Sequence, residues 1–421
     1  MELRERIKKV KPPAVKGLWK NLAIFFAVLG PGIITSNVDN DAGGIATYSI
    51  AGAHYGYGFV WAVLPVILSL IVIQEMSARM GAVTGKGLAD LIREHFGLKI
   101  TFYVMLALLV TNLANTMAEF AGVAASLDIF GVSKYISVPS SAFFIWWLVV
   151  KGSYRSVEKV FLGACLFYIT YAISGVMANP DWGEVAHAAV HPQIEMNWPY
   201  LYMLIGVIGT TIAPWQQFYL QASIVEKGID VENYRQSRWD VWIGCIMAGV
   251  VVFFIIISCA ATLYPAGIQI ENGAEAALAL KPLAGKYASW LFSFGLFNAS
   301  LFAASVLPLA TAYYVCEGLG FEAGVNKSFS EAPQFYGLYT AIIIVSAAVV
   351  LVPKFPLVFI MVFSQVLNGI LLPFVLIFML ILINKKKLMG EFANGILGNI
   401  ISWTTALGLI LLTLLMFFFF F

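Results

Sequence analysis

The chain has 421 residues, of which 60% are hydrophobic and 11% charged, with a net charge of +2. A soluble domain carries about a quarter of its residues as charges, so this chain cannot cover itself with water-facing side chains, and no stretch is left for a soluble domain of useful size. The composition excludes a cytosolic enzyme and a nucleic-acid-binding module and leaves an integral membrane protein.

Charge-free runs fall at about 21–38, 55–74, 100–118, 135–150, 160–180, 196–225, 241–270, 287–316, 332–353, 355–384 and 393–421. The first continues past two aspartates to about 52, and the third past Glu119 to about 127. Most reach or approach the roughly 20 apolar residues that cross a bilayer. Eleven spanning helices are therefore expected, and the absence of period-two alternation excludes a barrel. With the N-terminus in the cytoplasm, 21 of the 25 Lys and Arg fall on the cytoplasmic side, seven of them in the arm 1–20. That asymmetry follows the positive-inside rule and sets the C-terminus outside. It also leaves no Lys or Arg within the membrane.

The basic arm leads into a long span with no small-residue cleavage pattern, so it is not a removed signal. Cys165, Cys245, Cys259 and Cys316 are scattered within spans without metal or disulfide spacing and read as small apolar fillers. The terminal run "LLTLLMFFFFF" reads as the lipid-facing end of the last helix.

The first span contains "SNVDNDAGG", Ser36 to Gly44. A carboxylate inside a membrane is costly and is a functional candidate by default. Asp41 precedes Ala42, Gly43 and Gly44, and adjacent glycines weaken a helix by about 1 kcal/mol each. A carboxylate beside freed carbonyls makes a cation site, and such irregular backbone is tolerated at membrane depth only where it lines a cavity or packs in protein. Asp39, two residues earlier, faces either the opposite side or the outer vestibule.

Five spans later the chain reads "LIGVIGTTIAPWQQFYLQAS", Leu204 to Ser223. Pro214 removes a backbone donor and frees the carbonyl of Thr210. Spans 1 and 6 are thus both interrupted near the middle, the layout of an inverted five-plus-five repeat with discontinuous first helices. The symmetry is one of layout, without residue identity. The expected organisation is an arm at 1–20, a first five-helix repeat at 21–182, a second at 196–384, and an eleventh helix at 391–421. Span 10 adds Gln365 and Asn368 on one helical face, and span 3 adds Asn112, Asn115, Thr116 and Glu119. A lone amide in a span is more often helix–helix glue worth about 1 kcal/mol. Glu75 and Glu158 lie near cytoplasmic ends and read as interfacial.

At these residues the chain resembles the NRAMP family of divalent-metal transporters over nearly its whole length. "GPGIITSNVDNDAGG" is similar to the family's first helix, where Gly-Pro-Gly is followed by Asp-Pro-Gly-Asn. "AGAHYGYG", "GAVTGKGLAD", "SQVLNGILLPF" and "KKKLMGEFANG" look like further family landmarks. The resemblance implies an all-α integral membrane protein with the LeuT-like (APC) fold and alternating access.

The departures carry as much information. The family's Met-Pro-His in helix 6 is Ala213-Pro214-Trp215 here, so the metal-binding sulfur and the proton-pathway histidine are both replaced. The family's asparagine is Gly44, the acidic residue three before Glu119 is Thr116, and "EAPQFYGLYTA" lacks the arginines of helix 9. A thioether selects soft transition metals, whereas Mg²⁺ is hard, takes oxygen ligands and retains water. All four His lie outside the spans, and Glu119 alone makes a thin proton relay. These departures are most like the NRAMP-related magnesium transporter (NRMT) branch.

The resulting expectation is a carrier in a bacterial inner (plasma) membrane that imports hydrated Mg²⁺, and also Mn²⁺, without proton coupling. It would be no enzyme, need no cofactor, bind no nucleic acid, and require no partner beyond the ion and the bilayer, a monomer sufficing. Asp41 is the main expected ligand. The Thr210 carbonyl and the Gln365 amide oxygen complete the site, Gly44 and Ala213 leave room for water, and Gln216, Asn37 and Asn368 are secondary candidates. Trp215 would block the former proton route. Three rivals predict different observations. A proton-coupled Mn²⁺/Fe²⁺ carrier would acidify the interior and reject Mg²⁺. A sodium-coupled organic-solute carrier would need to hold an organic group beside an Asp that repels carboxylates. A membrane enzyme or non-transporting metal sensor would need clustered His, Asp or Cys in the spans, or a cytosolic domain.

Overall fold

The computed structural model describes residues 30–151, 169–271 and 288–420, with isolated positions between these stretches. The basic arm, the start of the first span, most of the fifth, Glu158 and Cys165 lie outside the described residues. Every described element is helical and no strand occurs among them.

The first interruption is local chemistry made visible. Helix α1 (Pro31–Asn37) runs into a single 3₁₀ turn, Val38–Asn40, and Asp41 is extended, with φ −73° and ψ −175°. Helix α2 (Ala42–Tyr55) starts immediately after it. Asp41 is the N-cap of α2: its Oδ1 accepts from the Gly44 amide at 2.6 Å while its carbonyl accepts from Ile45 at 2.8 Å. An Asp N-cap satisfies a donor that the helix start cannot satisfy itself. A 3₁₀ connection, Gly56–Phe59, leads into α3 (Val60–Thr84).

Next come a short helix α4 (Leu88–Phe96), the long α5 (Leu98–Asp128), α6 (Lys134–Lys151), α7 (Ile169–Met177) and an outer helix α8 (Trp182–Val190). The second interruption separates α9 (Trp198–Thr211) from α10 (Pro214–Glu226). Ala213 is extended and Pro214 takes the first position of α10. Both follow from the proline, which disfavours α geometry in the residue before it and suits a helix start. The remaining helices are α11 (Tyr234–Thr262), α12 (Ala288–Leu319), α13 (Pro333–Val350), α14 (Leu357–Ile383), the short α15 (Lys386–Met389) and α16 (Ile396–Phe420).

Seven helical segments among the described residues are long and apolar enough to cross a membrane. They include α2 and α3 together; the halves α1, α9 and α10 are each too short. In α11 and α12, 67% of the most apolar window is buried inside the protein, against 17% in α16. Phe417, Phe418 and Phe420 are exposed on α16, which agrees with a lipid-facing last helix.

The two broken helices lie at the centre. α1 and α2 pack on α11, α9 packs on α14, and α5 packs along α12. Ion pairs sit at helix ends or in loops: Arg79–Glu75, Lys86–Glu94, Arg93–Asp90 and Lys327–Glu322. Arg79 also donates to the Phe392 carbonyl and to Asn394 Oδ1. That ties the "GEFANG" landmark to the end of α3 and accounts for the interfacial Glu75. Cys245, Cys259 and Cys316 are free and buried.

Candidate functional site at the crossed breaks

The breaks meet. Tyr48 on α2 and Thr211 on α9 share a hydroxyl–hydroxyl bond of 2.8 Å. A methyl group at Gly44 would collide with the Asp39 carbonyl oxygen and would stand 3.0 Å from Thr210 Oγ1 and 3.3 Å from Asp41 Oδ1. Only a residue without a side chain fits there, so the turn Val38–Asn40 folds back over the start of α2 and turns a backbone oxygen toward it. Thr210 Oγ1 is buried and has no partner. The Thr210 carbonyl is also free of the usual helical donor, because Pro214 has no N–H. The sequence pointed to that carbonyl; the hydroxyl beside it is an additional oxygen.

Gln365 on α14 approaches from the other side. A methyl at Gly43 would collide with its Nε2 and stand 3.0 Å from the Met361 carbonyl. As placed, the Gln365 amide nitrogen faces the Asp41–Gly43 turn, while Oε1 accepts from Asn368 at 2.8 Å. The sequence-based expectation that the amide oxygen faces the site therefore differs from this arrangement, and Asn368 is the reason. Asn368 exchanges bonds of 3.0 and 3.1 Å with Asn115 on α5, and Asn115 donates to Asn112. Asn112 reaches Thr311 Oγ1 and the Leu307 carbonyl on α12. The amides that looked like separate helix–helix glue form one buried chain leading away from the site. Asn368 serves this chain.

Glu119 closes the third side. Its Oε2 accepts from the Ala42 amide at 3.1 Å, and Oε1 has no partner. Gly122, one helical turn on, permits the approach: a methyl there would collide with Ala42 and with Ser300 of α12. Glu119 thus satisfies a free donor at the start of α2, next to Asp41. The Glu119–Gly122 spacing on one helix face was the available sequence signal for this contact.

The remaining candidates separate. Gln216 is fully buried, and its Oε1 is held by Gln74 at 3.3 Å and by Gln217 at 3.4 Å. It belongs to a polar seam with Ser36 and Cys245: Ser36 Oγ donates to Gln74 Oε1 at 2.8 Å and lies 3.3 Å from the Cys245 sulfur. Asn37 donates to the Ile33 carbonyl and keeps a free, buried Oδ1. Ala213 and Trp215 are both 2% exposed, so the indole fills the space after the proline. The structure therefore gathers Asp41, Gly44, Thr210 and Gln365, with Asn368 behind Gln365, and places Gln216 in the adjoining seam. His54, His95, His187 and His191 lie at the end of α2, on α4, and on or just after α8, away from this cluster.

Sequence reading missed the cap on α1. Asp240 of α11 accepts from the Gly30 amide at 3.0 Å and the Gly32 amide at 2.6 Å. A separate open cavity of about 820 Å³ lies by α8, lined by Asp181, Glu184, His187, His191 and Tyr264 among others. It shares no residue with the crossed breaks, where free backbone groups and carboxylates concentrate, and the breaks remain the candidate site. Among the described residues, no group of three or more His, Cys, Asp or Glu converges as a metal cage. A cation at the breaks would be held by a carboxylate with neutral oxygens and water.

Several solved structures share this architecture. A manganese transporter of Eremococcus coleocola, in complex with an aromatic bis-isothiourea substituted compound, is similar at 22% identity with a TM-score of 0.77, over 96% of this chain and 88% of that one. MhsT in complex with L-phenylalanine is similar at 14% identity and a TM-score of 0.59, over 97% and 99%. Mhp1, a nucleobase-cation-symport-1 family transporter, is similar at 14% and 0.52, over 93% and 92%. At these identities the likeness establishes the fold, the LeuT-like arrangement with broken helices 1 and 6 and an eleventh helix. The model of the natural resistance-associated macrophage protein-like (Nramp) family matches residues 32–419. This chain is a member of the Nramp family of transporters.

Proposed function

We propose that the protein imports hydrated Mg²⁺, and also Mn²⁺, by alternating access and without coupling to protons. The observation that carries the reading is the chemistry of the cluster. Asp41 and Thr210 stand against Gly44 and Gln365 against Gly43, and the residues flanking Pro214, Ala213 and Trp215, bring neither a sulfur nor an imidazole to them. Oxygen-only sites suit hard cations, and Mg²⁺ keeps several of its waters when bound. Asp41 would bind the ion or its waters, and the Thr210 carbonyl and hydroxyl would complete one side. Turning the Gln365 amide over would present its oxygen on the other. The Mn²⁺ transporter from Eremococcus coleocola supports a divalent cargo.

Energetics allow transport without protons. A divalent ion entering down about 100 mV gains roughly 4.6 kcal/mol, enough for more than about a thousandfold accumulation. The moving parts would be the two five-helix repeats, 21–182 and 196–384, with residues 391–421 as an added helix. The membrane would be a bacterial inner membrane, with the N-terminus in the cytoplasm and the C-terminus outside. The second reading, a proton-coupled Mn²⁺/Fe²⁺ carrier, draws on one observation: the free Oε1 of Glu119 next to Asp41.

The test uses proteoliposomes loaded with a Mg²⁺-sensitive dye and a pH dye under an inside-negative potential. Mg²⁺ entry with flat internal pH, lost in Asp41→Ala, is the expected result. Exclusion of Mg²⁺ together with Mn²⁺ entry and acidification would overturn the reading in favour of the proton-coupled one.

A further inference from the structure

The first broken helix carries a second carboxylate that the cluster above does not use. Asp39 is 2% exposed, and neither of its oxygens has a hydrogen-bond partner. No ion pair among the described residues includes it. Its neighbour Asn40 is fully buried, with both side-chain polar atoms unpartnered, and Asn37 Oδ1 is likewise free. Four oxygens within four consecutive residues are thus buried and idle: two of Asp39, and one each of Asn37 and Asn40. Buried polar groups are almost always bonded, and an unpaired buried carboxylate costs several kcal/mol. A chain does not collect such groups in one turn for stability.

The backbone places them usefully. In 3₁₀ geometry residues three apart eclipse one another. Asn40 therefore lies over Asn37, while the turn packs on α11, the helix of Cys245, and follows closely on Ser36, whose hydroxyl heads the buried seam with Gln74 and Cys245. The carbonyl of Asp39 meanwhile covers Gly44 beside Thr210. Asp39 thus offers a backbone oxygen to the Asp41 cluster, and its idle carboxylate belongs to the turn that adjoins the seam. Charge balance points the same way. Asp39 and Asp41 stand two residues apart on the first broken helix and Glu119 bonds the Ala42 amide; no ion pair among the described residues includes any of the three, and a divalent ion neutralises two carboxylates.

We infer that Asp39 is a second anionic group of the cation path, holding the hydrated ion through its water shell with help from the Asn37 and Asn40 amide oxygens. This inference rests on the reading of the protein as a divalent-cation carrier, and not on Mg²⁺ being the cargo. A hydrated ion is wider than a bare one and reaches groups on both sides of the turn. Asp41 would meet it at the break, and Asp39 would hold it at the mouth of the seam.

The experiment measures Mn²⁺ and Mg²⁺ uptake into proteoliposomes by wild type, Asp39→Asn and Asp39→Glu, with Mn²⁺ binding to the purified proteins measured calorimetrically. Asp39→Asn is expected to raise the apparent KM for Mn²⁺ about tenfold or more and to weaken binding in parallel, while Asp39→Glu stays within about threefold of wild type. Wild-type KM and affinity in Asp39→Asn would overturn the inference. Equal defects in Asn and Glu variants that elute as folded protein would also overturn it, because shape rather than charge would then matter. If Asp39→Asn does not fold, an affinity in Asp39→Glu within about threefold of wild type supports the role of charge, and a lost one overturns it. Wild type that moves Mn²⁺ and rejects Mg²⁺ removes the magnesium reading alone and leaves the Asp39 comparison to be read with Mn²⁺.

Discussion

Asp240 and Asp39 are both buried, and the fold treats them in opposite ways. The two oxygens of Asp240 accept from the Gly30 and Gly32 amides, two of the donors that the start of α1 cannot satisfy within itself. α1 lies directly on α11 there, because a methyl at Gly32 would stand 2.6 Å from the Val241 backbone. The oxygens of Asp39 accept from nothing. A buried aspartate is therefore no functional sign by itself. One whose acceptors are used holds a helix in place, and one whose acceptors are idle needs a partner from outside the chain. Asp41 stands between these cases, with one oxygen capping α2 and its position at the meeting of the breaks.

The comparison can be broken by mutation. Asp41→Ala should have the largest effect on transport, taking divalent uptake to background while stability falls only by what a lost N-cap costs, about 1 kcal/mol. Asp240→Ala should do the reverse. Two buried amides lose their acceptor at about 1–3 kcal/mol each, so stability should fall by about 2–6 kcal/mol, read as a large drop in melting temperature in detergent. Uptake per folded molecule should change less than in Asp41→Ala. If both variants lost stability alike and uptake alike, the division between structural and functional aspartates would fail.

Substitutions at the small residues sharpen the picture. Gly44→Asn restores the side chain that the family resemblance expects, but it must push aside the Asp39 carbonyl. Uptake of both ions should fall about tenfold, and unchanged uptake would show that the turn over Gly44 is not held. Ala213→Met returns a thioether beside Pro214. Competition assays should show Mn²⁺ favoured over Mg²⁺ about tenfold more than in wild type, since sulfur prefers the softer ion; an unchanged ratio would place residue 213 outside the ion's reach. Glu119→Gln should have the smallest effect. The amide keeps an oxygen for the Ala42 N–H, so uptake should stay within about threefold and internal pH flat. A wild type that acidifies the liposomes and a Glu119→Gln variant that does not would make Glu119 the proton relay of the rival reading.

The interruptions themselves were legible. A proline in span 6 and a glycine pair after an aspartate in span 1 dictate local backbone chemistry, and the helix ends fall at those residues. The candidate ligands Asp41, Thr210, Gln365 and Gly44 could be named because each is an unusual residue type within an apolar run. The position of Gln216 in the seam and the use of the Gln365 oxygen by Asn368 were not legible. A polar side chain in a helix announces that it needs a partner without saying which of several neighbouring helices supplies it. Nothing in the sequence marked Asp240, because the donors it satisfies lie in another helix more than 200 positions away.

Composition and the placement of Lys and Arg by themselves determined that the chain is a polytopic helical membrane protein, and single residues determined where two of its helices break. These are properties of a residue and its immediate neighbours: transfer of apolar side chains out of water, a missing N–H, a carboxylate next to glycine. The tertiary structure alone decided that the two breaks face each other, that Gly44 is closed over by the Asp39 carbonyl, and that Asp240 is satisfied while Asp39 is not. Hydrogen-bond satisfaction is a property of pairs, and the pairs here join residues that only packing brings together.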